Sequence, residues 1–274
     1  AFPGAFPQPR SPFLFRYSFL SFTFLSLPIV LLALLAFNDS EFIGLPFNGF
    51  TTRWFTEAFN DPVISDALFT SLKVAASSVS ISLVVGTIAA VQLVRRHGRV
   101  RNLTLGTIAM PLFLPPVVIG LAIIIGLHAL GVERGLLTII LGHTVLTLPL
   151  VVVLVLVRLE GLDRDQELSA LDLGARPWQA LVHVTLPQAF PGIVAAAMIA
   201  FVTSMDEFIM TFLITGSQTK LPLYIYESMR FGATPELAVR SSLSVVVSLA
   251  LVFLASEVIT GQQRRRVSTT AESG

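Results

Sequence analysis

The chain has 274 residues, 54% of them hydrophobic and 13% charged, with a mean hydropathy of +0.79. Soluble domains carry about 25% charged residues, so this chain keeps most of its surface out of water. A net charge of +1 does not suggest a nucleic-acid partner, and the lack of cysteine excludes disulfides, thiol chemistry and Cys-ligated metals.

Several apolar runs exceed the roughly 18 residues that mark a spanning helix, and six spans are expected. Residues 1–14 form a Pro-rich tail, expected to be poorly ordered. The first span runs from about Tyr17 to Phe37; it is too long for a cleavable signal peptide and no A-x-A site follows it. In the loop Asn38–Phe69, "GFTTRWFTEAFND" places Trp54, Phe55, Ala58 and Phe59 on one face of a short helix. That face reads either as an interfacial anchor or as a docking surface for an external partner. The second span is about Leu72–Val94. The third, Leu103–Leu127, contains "MPLFLPPVVIG". Each of Pro111, Pro115 and Pro116 removes a donor and blocks a helical hydrogen bond. Lipid cannot satisfy the freed carbonyls, so Pro115 and Pro116 are expected to line a pathway or to pack centrally, a kinked packing helix being the alternative.

The fourth span is about Leu136–Val157, the fifth about Ile193–Ile214 and the sixth about Leu243–Ile259, with 15–261 forming one membrane domain. The fifth contains "FVTSMDEFIMTFLITG". Asp206 and Glu207 lie well inside it, where carboxylates usually face a cavity and mark a pathway. Being adjacent, they point about 100° apart, so one faces the pathway and the other a neighbouring helix; a structural role for both is the alternative. Residues 262–274 are expected to form a cytoplasmic tail whose Arg264–Arg266 run reads as an orientation anchor, contact with anionic lipid being the alternative. With a cytoplasmic N-terminus, twelve of the 18 basic residues fall in inside segments and six, Lys220 among them, in outside segments, so both termini are expected in the cytoplasm.

No catalytic motif accompanies these spans. His97, His128, His143 and His183 show no metal-ligand spacing, and there is no H-E-x-x-H, G-x-S-x-G or P-loop. The chain is not expected to be an enzyme or to hold a cofactor. A membrane enzyme built on Asp206 and Glu207, and a secondary transporter running on an ion gradient, remain as other classes.

The segment at about 160–190 includes "ELSALDLGARPWQALVHVTLPQAFPG", which is more structured than a connecting loop needs to be. Glu167–Leu173 reads as a short helix, Gly174 as its C-cap glycine and Pro177 as the first turn of a second helix. Trp178, Leu181, Val182 and Leu186 repeat on one apolar face, and Pro187 and Pro191 are expected to stop this helix before the fifth span. Two short helices outside the bilayer form a knob suited to another protein's groove, or a patch packed on the membrane surface.

"ALDLGARPWQALVHVTLP" resembles the cytoplasmic signature of permease subunits of binding-protein-dependent ABC importers: E-A-A, three residues, G, nine residues, I-x-L-P. Ala170 matches the last alanine, Gly174 the glycine, and Leu186 and Pro187 the end. Leu168 and Ser169 stand at the glutamate and first alanine positions, with Glu167 one residue early. "FNDSEFIGLPFNGFTTRWFTEAFND", "SMDEFIMTFLITG" and "LPLYIYESMRFGATPELAVRSSL" are similar to polyamine-type (spermidine/putrescine) permeases. The resemblance implies an all-α, polytopic type I ABC importer permease of six transmembrane helices in the inner membrane. It also implies a second permease subunit, two ATP-binding subunits carrying ATP and Mg, and an external solute-binding protein. Glu167, Ala170, Gly174, Ala175, Trp178, Leu186 and Pro187 would couple it to the ATPase, and Asp206 would meet a cationic solute. Permeases for amino acids, sugars, sulfate or ferric ion share the signature and remain alternatives.

Overall fold

The computed structural model describes residues 12–40, 44, 46–229, 238–239, 241–242, 246, 250 and 253. Apart from one isolated bridge between Asn38 and Phe50, the regular elements among them are helical. Four helical stretches are long and apolar enough to cross a membrane: Phe15–Leu35, Pro62–Val94, Leu136–Glu160 and Pro177–Asp206. Two further helices, Gly98–Phe113 and Pro116–Ala129, are long and apolar enough only when taken together, and they are bent by 104° at the break between them. The expected sixth span lies largely outside the described residues, as does the tail 262–274.

The chain divides into two compact units. The first comprises residues 1–61 and 228–242. Its long helix α1 (Pro12–Leu35) exposes nearly every side chain, Phe15, Phe22 and Phe24 among them, as a helix bathed in lipid would. After it, Asn38 is fully buried and organises the loop: its side chain donates to Gly44 O and accepts from Asn48 N, and its carbonyl accepts from Trp54 Nε1 at 2.9 Å. The short helix α2 (Arg53–Asn60) buries Trp54 and Ala58. The expected single apolar face is split, however. Phe55 packs on Phe37 with ring centroids 4.8 Å apart, whereas Phe59 is 66% exposed.

The second unit comprises residues 62–227 and 243–274. It is built on α3 (Pro62–Val94), α6 (Leu136–Glu160) and α9 (Leu186–Asp206), with α4 (Gly98–Ala109) and α5 (Pro116–Ala129) alongside. Helix α3 starts ten residues before the expected span, at Pro62, which suits a first helical turn. In lipid the hydrophobic effect does not drive helices together, so close packing and interhelical hydrogen bonds must. The interface follows that rule. Ala90, Val151, Val152, Val155, Ala196 and Ala200 are all 0% exposed, and Ser82 Oγ lies 2.7 Å from Thr147 Oγ1. A Cβ added at Gly86 would stand 2.8 Å from Val151 Cγ1, in a region with no free space. Gly86→Ala is therefore expected to cost about 1–3 kcal/mol, seen as an earlier midpoint when the solubilised protein is titrated with denaturant. Gly106→Ala, with nothing within 4 Å, should keep the midpoint or raise it; equal losses at both would refute the packing argument.

The third span is more than kinked. Met110–Phe113 form a 3-10 turn, Leu114 and Pro115 are extended at ψ 137°, and Pro116 opens α5. A residue before proline is pushed out of the helical region, and two such residues in a row turn a kink into a 104° break.

Pro187 and Pro191 do not stop the helix that leads to the fifth span. From α8 (Pro177–Ala180) the chain passes through a π turn, Leu181–Thr185, in which Leu186 N donates to Leu181 O, and continues as α9. Pro187 falls in the first turn of α9, where its missing N–H costs little. The wide turn carries the chain into the proline without ending the helix.

Candidate translocation site and coupling element

The fifth span is discontinuous, against the expectation of one helix over Ile193–Ile214. Helix α9 ends at Asp206, Glu207 is extended at ψ 116°, and α10 (Ile209–Ile214) begins after Phe208. "SMDEFI" holds neither proline nor glycine. The break is met by Lys220, which is 0% exposed. Its ammonium donates to Ser204 O at 2.7 Å and to Glu207 O at 3.3 Å. In an unbroken helix Ser204 O would accept from residue 208; here a cation takes that place at the negative end of α9, which favours it.

The surrounding groups form one buried polar cluster. His143 Nε2 lies 3.4 Å from Lys220 Nζ and 2.9 Å from Thr211 Oγ1, and its Nδ1 lies 2.8 Å from Ser204 Oγ. Ser78 Oγ of α3 lies 3.3 Å from Ser204 Oγ. His143, Ser78, Ser204 and Thr211 are all buried. The chain returns to this cluster after α10 on a tight connection: Gly216 leaves no room for a side chain beside Arg134 O, and Leu221 N, opening α11 (Leu221–Met229), donates to Ser71 Oγ at 2.9 Å. Sequence reasoning counted Lys220 as an outside loop residue and missed the cluster. Its one signal was His143, a lone titratable group within the apolar run of α6.

The two carboxylates are divided. Glu207 is partly buried, and its Oε1 accepts from Met210 N at 2.6 Å in the first turn of α10. Asp206, at the end of α9, is exposed. Pro115 is exposed and Pro116 partly so, at the break of the third span. Among the described residues no group of three or more His, Cys, Asp or Glu could hold a metal.

At the other end of the unit, Asp163 caps α7 (Arg164–Asp172) by accepting from Asp165 N at 3.0 Å. Gly174 ends it at φ +91°. Gly174 N donates to Leu171 O and Ala175 N to Ala170 O, the paired bonds of a Schellman motif. Ala170 and Ala175 thus shape the turn between α7 and α8. Trp178, Val182, Leu168 and Leu173 stand exposed on this element, Leu173 at 90%, while Leu186 is half-buried and Pro187 exposed. Glu167 points inward. Arg95 Nη2 at the end of α3 donates to its Oε1 at 2.5 Å, and Thr185 Oγ1 donates to its Oε2 at 2.8 Å. Arg164 reaches Val94 O at 2.5 Å, and Gln188 reaches Gln166 at 2.9 Å. The short helices are therefore fastened to α3 and α9 by directional bonds.

Residues 82–269 match the family described as binding-protein-dependent transport system inner membrane component. The chain is 34% identical over 270 residues to the putrescine transport system permease protein PotI of Escherichia coli K12, covering 95% of each. It is 32% identical over 239 residues to the spermidine/putrescine transport system permease protein PotC of the same organism, covering 87% of this chain and 90% of that one. Among solved structures it is similar, at TM-score 0.72 and 17% identity over 90% of this chain and 93% of the other, to a bacterial ABC transporter involved in the import of the acidic polysaccharide alginate. That likeness establishes the type I importer permease fold. The chain belongs to the binding-protein-dependent transport system inner membrane component family, and it is a multi-pass membrane permease subunit rather than an enzyme.

Proposed function

We propose that this chain is one membrane half of an ABC importer for a polyamine of the spermidine/putrescine class. The observation that carries the substrate class is its likeness, over most of the chain, to two permeases named for those solutes. The site adds a physical reason: Asp206 presents a carboxylate at a break in an otherwise apolar span, and alkylammonium groups are held by such carboxylates. The pathway runs past Asp206 and the Pro115–Pro116 break, with Glu207 committed to α10. Both termini face the cytoplasm, since twelve of 18 basic residues then lie inside.

A second permease subunit completes the pathway, two ATP-binding subunits carry ATP and Mg, and an external solute-binding protein delivers the solute. The element from Arg164 to Leu186 docks in the ATPase groove. Gly174 fixes the angle between its helices, and Trp178 and Leu173 supply apolar contact. Glu167 acts as a brace, carrying the ATPase's movement through Arg95 into α3. In mild detergent the tagged chain should retain the ATPase, and putrescine-loaded binding protein should raise ATP hydrolysis above the basal rate. An ATPase that does not travel with the chain, or hydrolysis indifferent to putrescine, would contradict this reading.

A further inference from the structure

We infer that Lys220 is a positioning residue for the solute pathway: its buried ammonium holds the α9–α10 break open, and the open break is what uncovers the Asp206 carboxylate. The inference rests on the reading of Asp206 as a pathway group, and it goes beyond it by assigning what controls that group.

Sharp breaks in helices have identifiable causes: proline, glycine or serine pairs, π bulges, or a group inserted into the hydrogen-bond ladder. Between Met205 and Ile209 there is no proline or glycine and the turn is not of π type; Glu207 caps the start of α10 at Met210 N, and the group inserted into the ladder at the end of α9 is Lys220. Lys220 occupies the ladder position at Ser204 O and also holds Glu207 O. Inside a membrane domain, carbonyls at a break must find a donor within the protein. Lys220 supplies it at Ser204 O and, beside Thr211 Oγ1, at Glu207 O, and the bond from Leu221 N to Ser71 Oγ holds the connection that carries it.

The consequence for Asp206 follows from helix geometry. Helical side chains lean toward the N-terminus, so residues three and four positions on cover a given residue. In a continuous helix Ile209 and Met210 would lean back over Asp206. The break takes Met210 away: it is 0% exposed within the core formed with Ile119, Ile139 and Ile214, while Asp206 is exposed. Without the ammonium, Ser204 O is free to accept from Phe208 N, the helix closes, and the carboxylate is covered.

The chain contains no cysteine, which permits a direct test. Asp206→Cys is introduced into the full complex, and the rate of modification by a membrane-impermeant thiol reagent is measured on this chain by mass, per assembled complex. Adding Lys220→Met should slow modification about tenfold, and Lys220→Arg, which keeps a cation, should restore most of the rate. In the chain with Asp206 intact, Lys220→Met should lower putrescine uptake in parallel. Unchanged modification in the Met variant, or an Arg variant as slow as Met, overturns the inference. Should the Met variant not assemble, Lys220→Gln carries the measurement, with slowed modification expected. Loss of assembly in both Met and Gln also overturns it, because Lys220 would then serve folding alone. Asp206→Asn uptake reports separately on the pathway reading, so the two failures are distinguishable.

Discussion

Asp206→Asn is expected to reduce polyamine uptake per assembled complex by about 10–100-fold while basal ATP hydrolysis and assembly stay close to normal. The magnitude is that of a lost charge-assisted hydrogen bond, about 1.5–3 kcal/mol, at about 1.4 kcal/mol per tenfold. The expectation that assembly holds has its own physical basis. A carboxylate at the C-terminal end of a helix sits against the negative pole of the helix dipole, so it opposes the stability of α9 rather than aiding it. Asparagine keeps the size and removes that penalty. A residue unfavourable for the fold and exposed at a break is more economically explained by a solute than by structure. If assembled complex falls instead and uptake per complex holds, Asp206 is a structural group. Both quantities come from one preparation of proteoliposomes.

Gly174→Pro should abolish solute-stimulated ATP hydrolysis, and uptake with it, while the protein still reaches the membrane. Gly174 has φ +91°, and proline is confined near about −65°. The Gly174 N–H that donates to Leu171 O would be lost as well. The Schellman turn cannot form, at a cost of about 3 kcal/mol or more, and the angle between α7 and α8 goes with it. The damage stays local because Gly174 is exposed and a Cβ there meets nothing within 4 Å. Gly174→Ala should be milder, since alanine reaches positive φ at about 1–2 kcal/mol. Normal stimulation in the proline variant would show that this element does not couple the permease to its ATPase.

These two sites differ in how far they could be read from the sequence. The Gly174 turn was legible because its cause is local: a glycine at a helix end, a proline three residues on, and an apolar repeat beyond. The spans were legible for a similar reason, since run length and lack of charge are properties of consecutive residues. The break at Glu207 was not legible. "SMDEFI" has ordinary helical propensity, and the group that breaks it, Lys220, arrives from 13 residues beyond Glu207. Counting Lys220 with the outside segments follows a rule about charge that says nothing of burial, which the return of the chain onto Ser204 and His143 decides. Pro187 misleads in the opposite sense, because the π turn carries the chain into it within the first turn of α9, and Pro191 is held inside that helix. Glu167 was assigned to the ATPase by its place in a signature; its partners Arg95 and Thr185 lie 72 residues before it and 18 after it.

The central claim is that this chain forms the membrane path of an ATP-driven importer for polyamines. The most direct measurement is accumulation of labelled putrescine in proteoliposomes holding the complete complex, with binding protein outside and ATP on the ATPase side, against labelled sulfate and a neutral sugar. The account predicts putrescine accumulation that requires both ATP and binding protein, little uptake of the other two, and loss of the signal with Asp206→Asn. Accumulation of sulfate or sugar in place of putrescine would contradict it.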